Sequence, residues 1–142
     1  MILLDTSIII AYYLPESYSA QAQTYYLNNP DLTLSNLIEL EVVAVIARLV
    51  RSQSLPLITA RQTVSLFTTH LEQGFYSRLP LQTWHYQQAH IWVTRFDLPL
   101  KAPDSLHLAV APLERLRLVT ADRQLARNAE ALGIAVELLV VA

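Results

Sequence analysis

Four acids carry the chemistry open to this chain: Asp5, Glu41, Asp104 and Asp122. Carboxylates offer the hard oxygen ligands that Mg2+ and Mn2+ prefer. Asp5, Asp104 and Asp122 fall where an apolar run ends and a helix begins. In an open α/β sheet such positions converge on the crevice at the strand ends, so acids far apart in sequence can meet in one pocket. That placement points to a metal-binding catalytic site. Other chemistries are poorly supplied. Cysteine is absent, which removes disulfides, thiolate metal sites and a thiol nucleophile and suits a reducing cytoplasm. His70, His85, His90 and His107 lack the i, i+4 pairing of a zinc site.

Each acid also has a purely structural reading. Asp5 and Asp122 could cap the helices that follow them, a role worth about 1 kcal/mol. Asp104, in the first turn after Pro103, would be stabilised there by the helix dipole in any case. Glu41 resists this reduction. Its neighbours Leu37, Ile38, Val42, Ala44 and Val45 turn it toward protein interior, where an unpaired carboxylate is costly and needs a cation. Arg48 on the same stripe is seven residues away, not the adjacent i, i+4 neighbour, which favours a metal. Glu39 is set aside as the third residue of a capping box begun by Asn36. His107, on the face of Asp104 but among Leu108 and Ala111, reads as a packed, hydrogen-bonded histidine. The hydroxyls of Thr6 and Ser7 suit either turn-stabilising bonds or contacts to a metal-bound water or phosphate. Arg48, Arg51, Lys101, Arg123 and Arg127 are candidates for phosphate contacts.

The elements that must position these groups alternate. Ile2 to Leu4 reads as a buried strand, followed by a short helix that Pro15 stops. A helix from Ser17 to about Leu27 leads to a strand at Leu32 to Leu34. The longest helix follows, apolar nearly all round from Leu37 to Val50 and therefore central. Further helices are expected at Thr59 to Glu72 and Thr83 to Phe96, with a strand at Phe75 to Leu79 between them. Pro103 opens a helix that Pro112 breaks after Ala111. Leu116 to Thr120 is a short strand, Asp122 opens the last helix, Gly133 ends it, and Ile134 to Leu138 is the final strand. Strands alternating with helices mean an α/β fold with a mainly parallel sheet in a single domain, residues 1–142.

Composition narrows the partners. A net charge of −2 and a pI near 6.0 lack the overall basicity of a nonspecific nucleic-acid binder, so any such contact is local. Charged residues make up 15% of the chain and apolar ones 53%, too little polarity to cover the surface without a hydrophobic interface. No uncharged run approaches the ~20 residues of a membrane span, and the opening run lacks the basic start of a signal peptide.

Leu4-Asp5-Thr6-Ser7, then Ser35 through Glu41 before an apolar helix, then Pro103-Asp104-Ser105-Leu106-His107-Leu108-Ala109, and last Thr120-Ala121-Asp122-Arg123-Gln124-Leu125 together resemble the PIN domain, particularly VapC-type toxins. The blocks occur in that family's order and spacing and span essentially the whole chain. The resemblance implies a three-layer α/β/α sandwich. It also implies an endoribonuclease dependent on Mg2+ or Mn2+, acting on single-stranded or loop RNA, with Asp5, Glu41, Asp104 and Asp122 around the metal. The partners it implies are an antitoxin seated in a hydrophobic groove and a second copy of the toxin. Two other readings compete. A phosphotransfer domain wants a second acid where Ser7 stands, or a lysine after a late strand, whereas Lys101 precedes a helix. A catalytically inactive PIN-like scaffold would bind RNA or protein without cleaving.

Overall fold

The computed structural model describes residues 1–140. Strand β1 (Ile2–Leu4) is aliphatic and buried throughout, as a central strand covered on both faces must be. Helix α1 (Thr6–Tyr13) stops because Leu14 precedes Pro15 and is driven to extended backbone, φ −124° and ψ 149°. There follow α2 (Ser19–Asn28), β2 (Leu32–Ser35), α3 (Asn36–Arg51), α4 (Leu57–Glu72), β3 (Ser77–Leu79), α5 (Thr83–Val93), α6 (Ala102–Leu113), β4 (Arg117–Thr120), α7 (Arg123–Ala131) and β5 (Val136–Leu138).

The strands form one all-parallel sheet in the order β3-β2-β1-β4-β5, flanked by helices. The chain winds outward from β1 to β2 and β3, then returns to the other side of β1 for β4 and β5. With right-handed crossovers, that reversal sends the connections on the two sides of β1 to opposite faces. It leaves a crevice beyond the carboxyl ends of β1 and β4. Asp5 follows β1 directly, and Asp122 comes two residues after β4.

Hydrogen-bonded phenols fasten the helices on one side. The Tyr13 hydroxyl lies 2.6 Å from His70 Nδ1 and 2.8 Å from the Tyr76 hydroxyl, which lies 2.8 Å from that of Tyr26. The chain ties α1, α2 and α4 to the segment entering β3. Burial pushes Tyr13, Tyr26 and Tyr76 well above the ordinary phenol range, so all three stay neutral donors.

Three local expectations need correction. Ser35, not Asn36, caps α3: its hydroxyl accepts from the Ile38 N–H at 3.1 Å, while Asn36 Oδ1 accepts from the Leu81 N–H. Glu39 then forms no capping box and holds Arg78 through two bonds of 3.0 and 2.8 Å. Helix α3 is not buried all round. Only Ile38, Val42 and Ile46 are enclosed, and Leu40 is 64% exposed. Pro112 does not break α6 at Ala111: the helix runs on to Leu113, giving up the bond Pro112 cannot donate but closing with the Glu114 N–H on Val110 O at 2.9 Å. The chain then reverses without glycine. Arg115 adopts φ 57°, and the Leu116 N–H donates to Ala111 O at 2.7 Å.

Candidate active site

Asp5, Glu41, Asp104 and Asp122, from four separate segments, line one cleft of about 490 Å3, with Thr6, Ser7, Tyr18, Arg48 and Arg51 among the other lining residues. The cleft opens at the crevice that the strand order creates.

Asp5 occupies the cap position of α1, yet its side chain makes no capping bond. Oδ2 instead accepts from Ser7 Oγ and Thr120 Oγ1, each at 2.7 Å. Those hydroxyls are themselves held by backbone: the Ala121 N–H donates to Ser7 Oγ and the Asp122 N–H to Thr120 Oγ1, both at 3.0 Å. The turn after β4 therefore aims the acid that follows β1. Thr120 is fully buried, and the Asp5 N–H donates to Val119 O at 2.9 Å. Replacing Thr120 with Val removes a donor to Asp5 and an acceptor for the Asp122 N–H at nearly constant volume. We expect a loss of about 1–3 kcal/mol in urea unfolding, with Thr120→Ser much milder. Equal losses in the two variants would count against this account.

Glu41 finds its partner in His107, not Arg48. Oε1 lies 2.6 Å from His107 Nε2 and accepts from Thr6 Oγ1 at 3.1 Å. Burial alone would raise the Glu41 carboxyl, but the His107 bond and charge with the Thr6 bond outweigh it and hold it below the usual value. His107 mirrors this. Burial disfavours its charged form most strongly, yet the Glu41 bond and the fields of Asp5, Glu41 and Asp104 together raise it. As expected, His107 is packed and hydrogen-bonded, but its partner is the glutamate of the cleft. Its side chain bridges α6 and α3.

Asp104 sits in the first turn of α6, half-buried. Burial raises its carboxyl; His107 offsets part of this, while Asp122, Asp5 and Glu41 add to it, so the acids repel one another across the cleft. Asp122 keeps its capping role. Its Oδ1 accepts from Gln124 N–H at 2.9 Å and Leu125 N–H at 3.1 Å, and the side chain lines the cleft as well. Capping and a place in the site are compatible, since the two capping bonds engage only one carboxylate oxygen.

Of the basic candidates, Arg48 and Arg51 line the cleft, while Lys101, Arg123 and Arg127 are not among its lining residues. Arg127 instead donates to Gln124 Oε1 at 2.9 Å. The sequence reading missed Thr120 and the bridge from His107 to Glu41. Both depend on register between elements over 60 residues apart, to which local pattern is blind.

Among the described residues, no three His, Asp or Glu side chains stand close enough to enclose a metal ion. Mg2+ does not require such a cage, because it is usually held by one or two carboxylates with water and substrate phosphate completing the shell. A donor set of carboxylate oxygens in an open, water-accessible cleft meets that demand.

Among the described residues no helix is long and apolar enough to cross a membrane. A search of curated proteins returns no match. Solved structures do resemble the chain. VapC20 of Mycobacterium tuberculosis, described as a sarcin-ricin loop cleaving toxin, superposes with a TM-score of 0.72 at 18% identity, over 95% of this chain and 97% of that one. FitAcB from Neisseria gonorrhoeae gives a TM-score of 0.66 at 23% identity, over 96% of each chain. VapBC2 from Rickettsia felis, bound to a DNA fragment from its promoter, gives 0.67 at 17%, over 96% of this chain and 98% of that one. At these identities the likeness establishes the fold. The PIN domain model matches residues 2–131. With the parallel sheet, the crevice at β1 and β4 and a family match over nearly the whole length, the chain belongs to the PIN domain family.

Proposed function

We propose that the protein is a Mg2+- or Mn2+-dependent endoribonuclease, acting on single-stranded or loop RNA in the cytoplasm as the toxin of a toxin–antitoxin pair. The observation that carries this reading is the meeting of Asp5, Glu41, Asp104 and Asp122 in one cleft at the switch point of the sheet. When bound, the metal would polarise the scissile phosphate and make a coordinated water more acidic. Asp5 is oriented for that task by Ser7 and Thr120, and Glu41 by His107 and Thr6. Asp104 and the second oxygen of Asp122 complete the acidic rim. Arg48 and Arg51 offer guanidinium donors to phosphates flanking the cut, so that a local basic edge offsets the overall charge of −2. The test is incubation of the purified protein with single-stranded and hairpin RNA in Mg2+, Mn2+ or EDTA. Cleavage that needs the metal supports the reading; intact RNA under every metal condition would favour the non-cleaving scaffold.

The antitoxin reading draws on a second surface. Val43, Ile46, Ala47 and Val50 of α3 face Leu57, Ala60 and Val64 of α4 across an apolar groove. An amphipathic segment of an antitoxin would lay its apolar face there. Structures of similar fold include a toxin–antitoxin complex from Klebsiella pneumoniae, with a TM-score of 0.58 at 20% identity. Val64→Glu should weaken binding of a cognate antitoxin by tenfold or more, because a carboxylate would be desolvated beneath the docked apolar face. Metal-dependent cleavage should be unchanged. Calorimetry on the pair reads the first effect, and unaltered affinity would remove the groove from the account. Self-association is supported by the apolar side chains on and just beyond α5, where Trp84, Tyr86 and Ile91 are more than half exposed and Phe96 is 88% exposed.

A further inference from the structure

We propose that His107 is a positioning residue that fixes Glu41 relative to Asp104 through a single donor, its Nε2–H, and that its other ring nitrogen is dispensable. His107 is 1% exposed, and its Nε2 stands 2.6 Å from Glu41 Oε1. Nδ1 is also buried, and among the described residues it has no hydrogen-bond partner. An unpaired polar atom in the interior is unfavourable, so a histidine that served only to fill space would be poorly matched to this position. The imidazole gains a bond on one side only, and that bond goes to an acid of the cleft. Thr6 donates to the same oxygen from the first turn of α1. With Oε1 held from both sides, Glu41 is left with Oε2 for the cleft.

The placement on α6 gives this bond its consequence. Asp104 lies one turn before His107 on the same helix, so a single rigid element presents one carboxylate to the cleft and holds a second that belongs to α3. The distance between the two acids is thereby set by the imidazole and not left to their mutual repulsion.

The inference rests on the metal reading above, and the experiment separates the two. Mn2+ affinity is measured by electron paramagnetic resonance for the wild type and for His107→Gln, His107→Asn and His107→Leu, with thermal unfolding of each followed by circular dichroism. Gln places an amide nitrogen near the imidazole Nε2 position and should retain near-wild-type affinity. Asn, whose amide reaches only as far as Nδ1, and Leu, which fills the space without a donor, should each weaken Mn2+ by roughly 10–100-fold, the usual effect of losing a group that orients a ligand. A space-filling role would instead favour Leu and would not distinguish Gln from Asn. Should Leu fail to fold, the Gln and Asn pair decides alone: equal affinities overturn the proposal. Wild-type affinity in a folded His107→Leu overturns it as well. Absence of Mn2+ binding by the wild type removes the metal reading, and the proposal with it.

Discussion

Asp5→Asn should reduce metal-dependent RNA cleavage by roughly 10^3-fold or more while leaving the fold intact. The two halves of that expectation have separate physical origins. The carboxylate uses Oδ2 to accept from Ser7 and Thr120, and an asparagine can present its carbonyl oxygen to the same two hydroxyls. Its amide nitrogen would then face the cleft, with a donor where a cation needs an acceptor. Loss of a metal interaction that contributes several kcal/mol to the transition state corresponds to about three powers of ten in rate. Stability should change by no more than about 1 kcal/mol, since the hydrogen-bond count is preserved. Cleavage by Asp5→Asn at the wild-type rate would remove Asp5 from the centre of the reaction.

Mn2+ should raise the melting temperature of the wild type, by roughly 5–10 °C when its concentration is about 100 times the dissociation constant. Binding to the folded state alone contributes about 2.7 kcal/mol at that ratio, and a domain of this length converts that into a shift of this size. The structure supplies a reason to expect a response in stability as well as in rate. Burial raises the Asp104 carboxyl, and the fields of Asp122, Asp5 and Glu41 raise it further, so the folded state carries like-charge repulsion that a cation would relieve. Two carboxylates about 4 Å apart repel by about 4 kcal/mol at an effective dielectric of 20. The double variant Asp5→Asn with Asp104→Asn has lost half of the acids and should melt at the same temperature with and without Mn2+. Equal shifts in wild type and double variant would show that the ion binds elsewhere.

The alternation of strands and helices was legible because β1 and β4 are short, largely apolar runs bounded by clear stops, whereas β3, Ser77-Arg78-Leu79, offers no such run. Ile2–Leu4 ends on Asp5, and Arg117–Thr120 runs into the Asp122 cap. The strand order, and hence the crevice, followed less directly, since it depends on which strands pair. At the site, Glu41 stood out because a carboxylate amid aliphatic neighbours demands a partner. The identity of that partner did not follow. Arg48 was visible on the same helix, while His107 arrives from 66 residues away through the packing of α6. Ser35 and Asn36 show a smaller version of the same limit. Both residue types cap helices, and only the contact of Asn36 with Leu81 decides between them. Pro112 misled for a related reason, since the bond from the Glu114 N–H to Val110 O that closes the helix beyond it is set by the chain reversal that follows.

Helix α3 is a partition wall between two rooms. Along one side Glu41, Ala44, Val45, Arg48 and Arg51 face the acidic cleft, and along the other Val43, Ile46, Ala47, Val50 and again Arg51 face the apolar groove. A rigid rod cannot be moved on one side only. Whatever settles in the groove and tilts α3 carries Glu41 with it, so pressure from outside can alter the acid's reach without anything entering the cleft. At the far end of the rod, Arg51 borders both rooms.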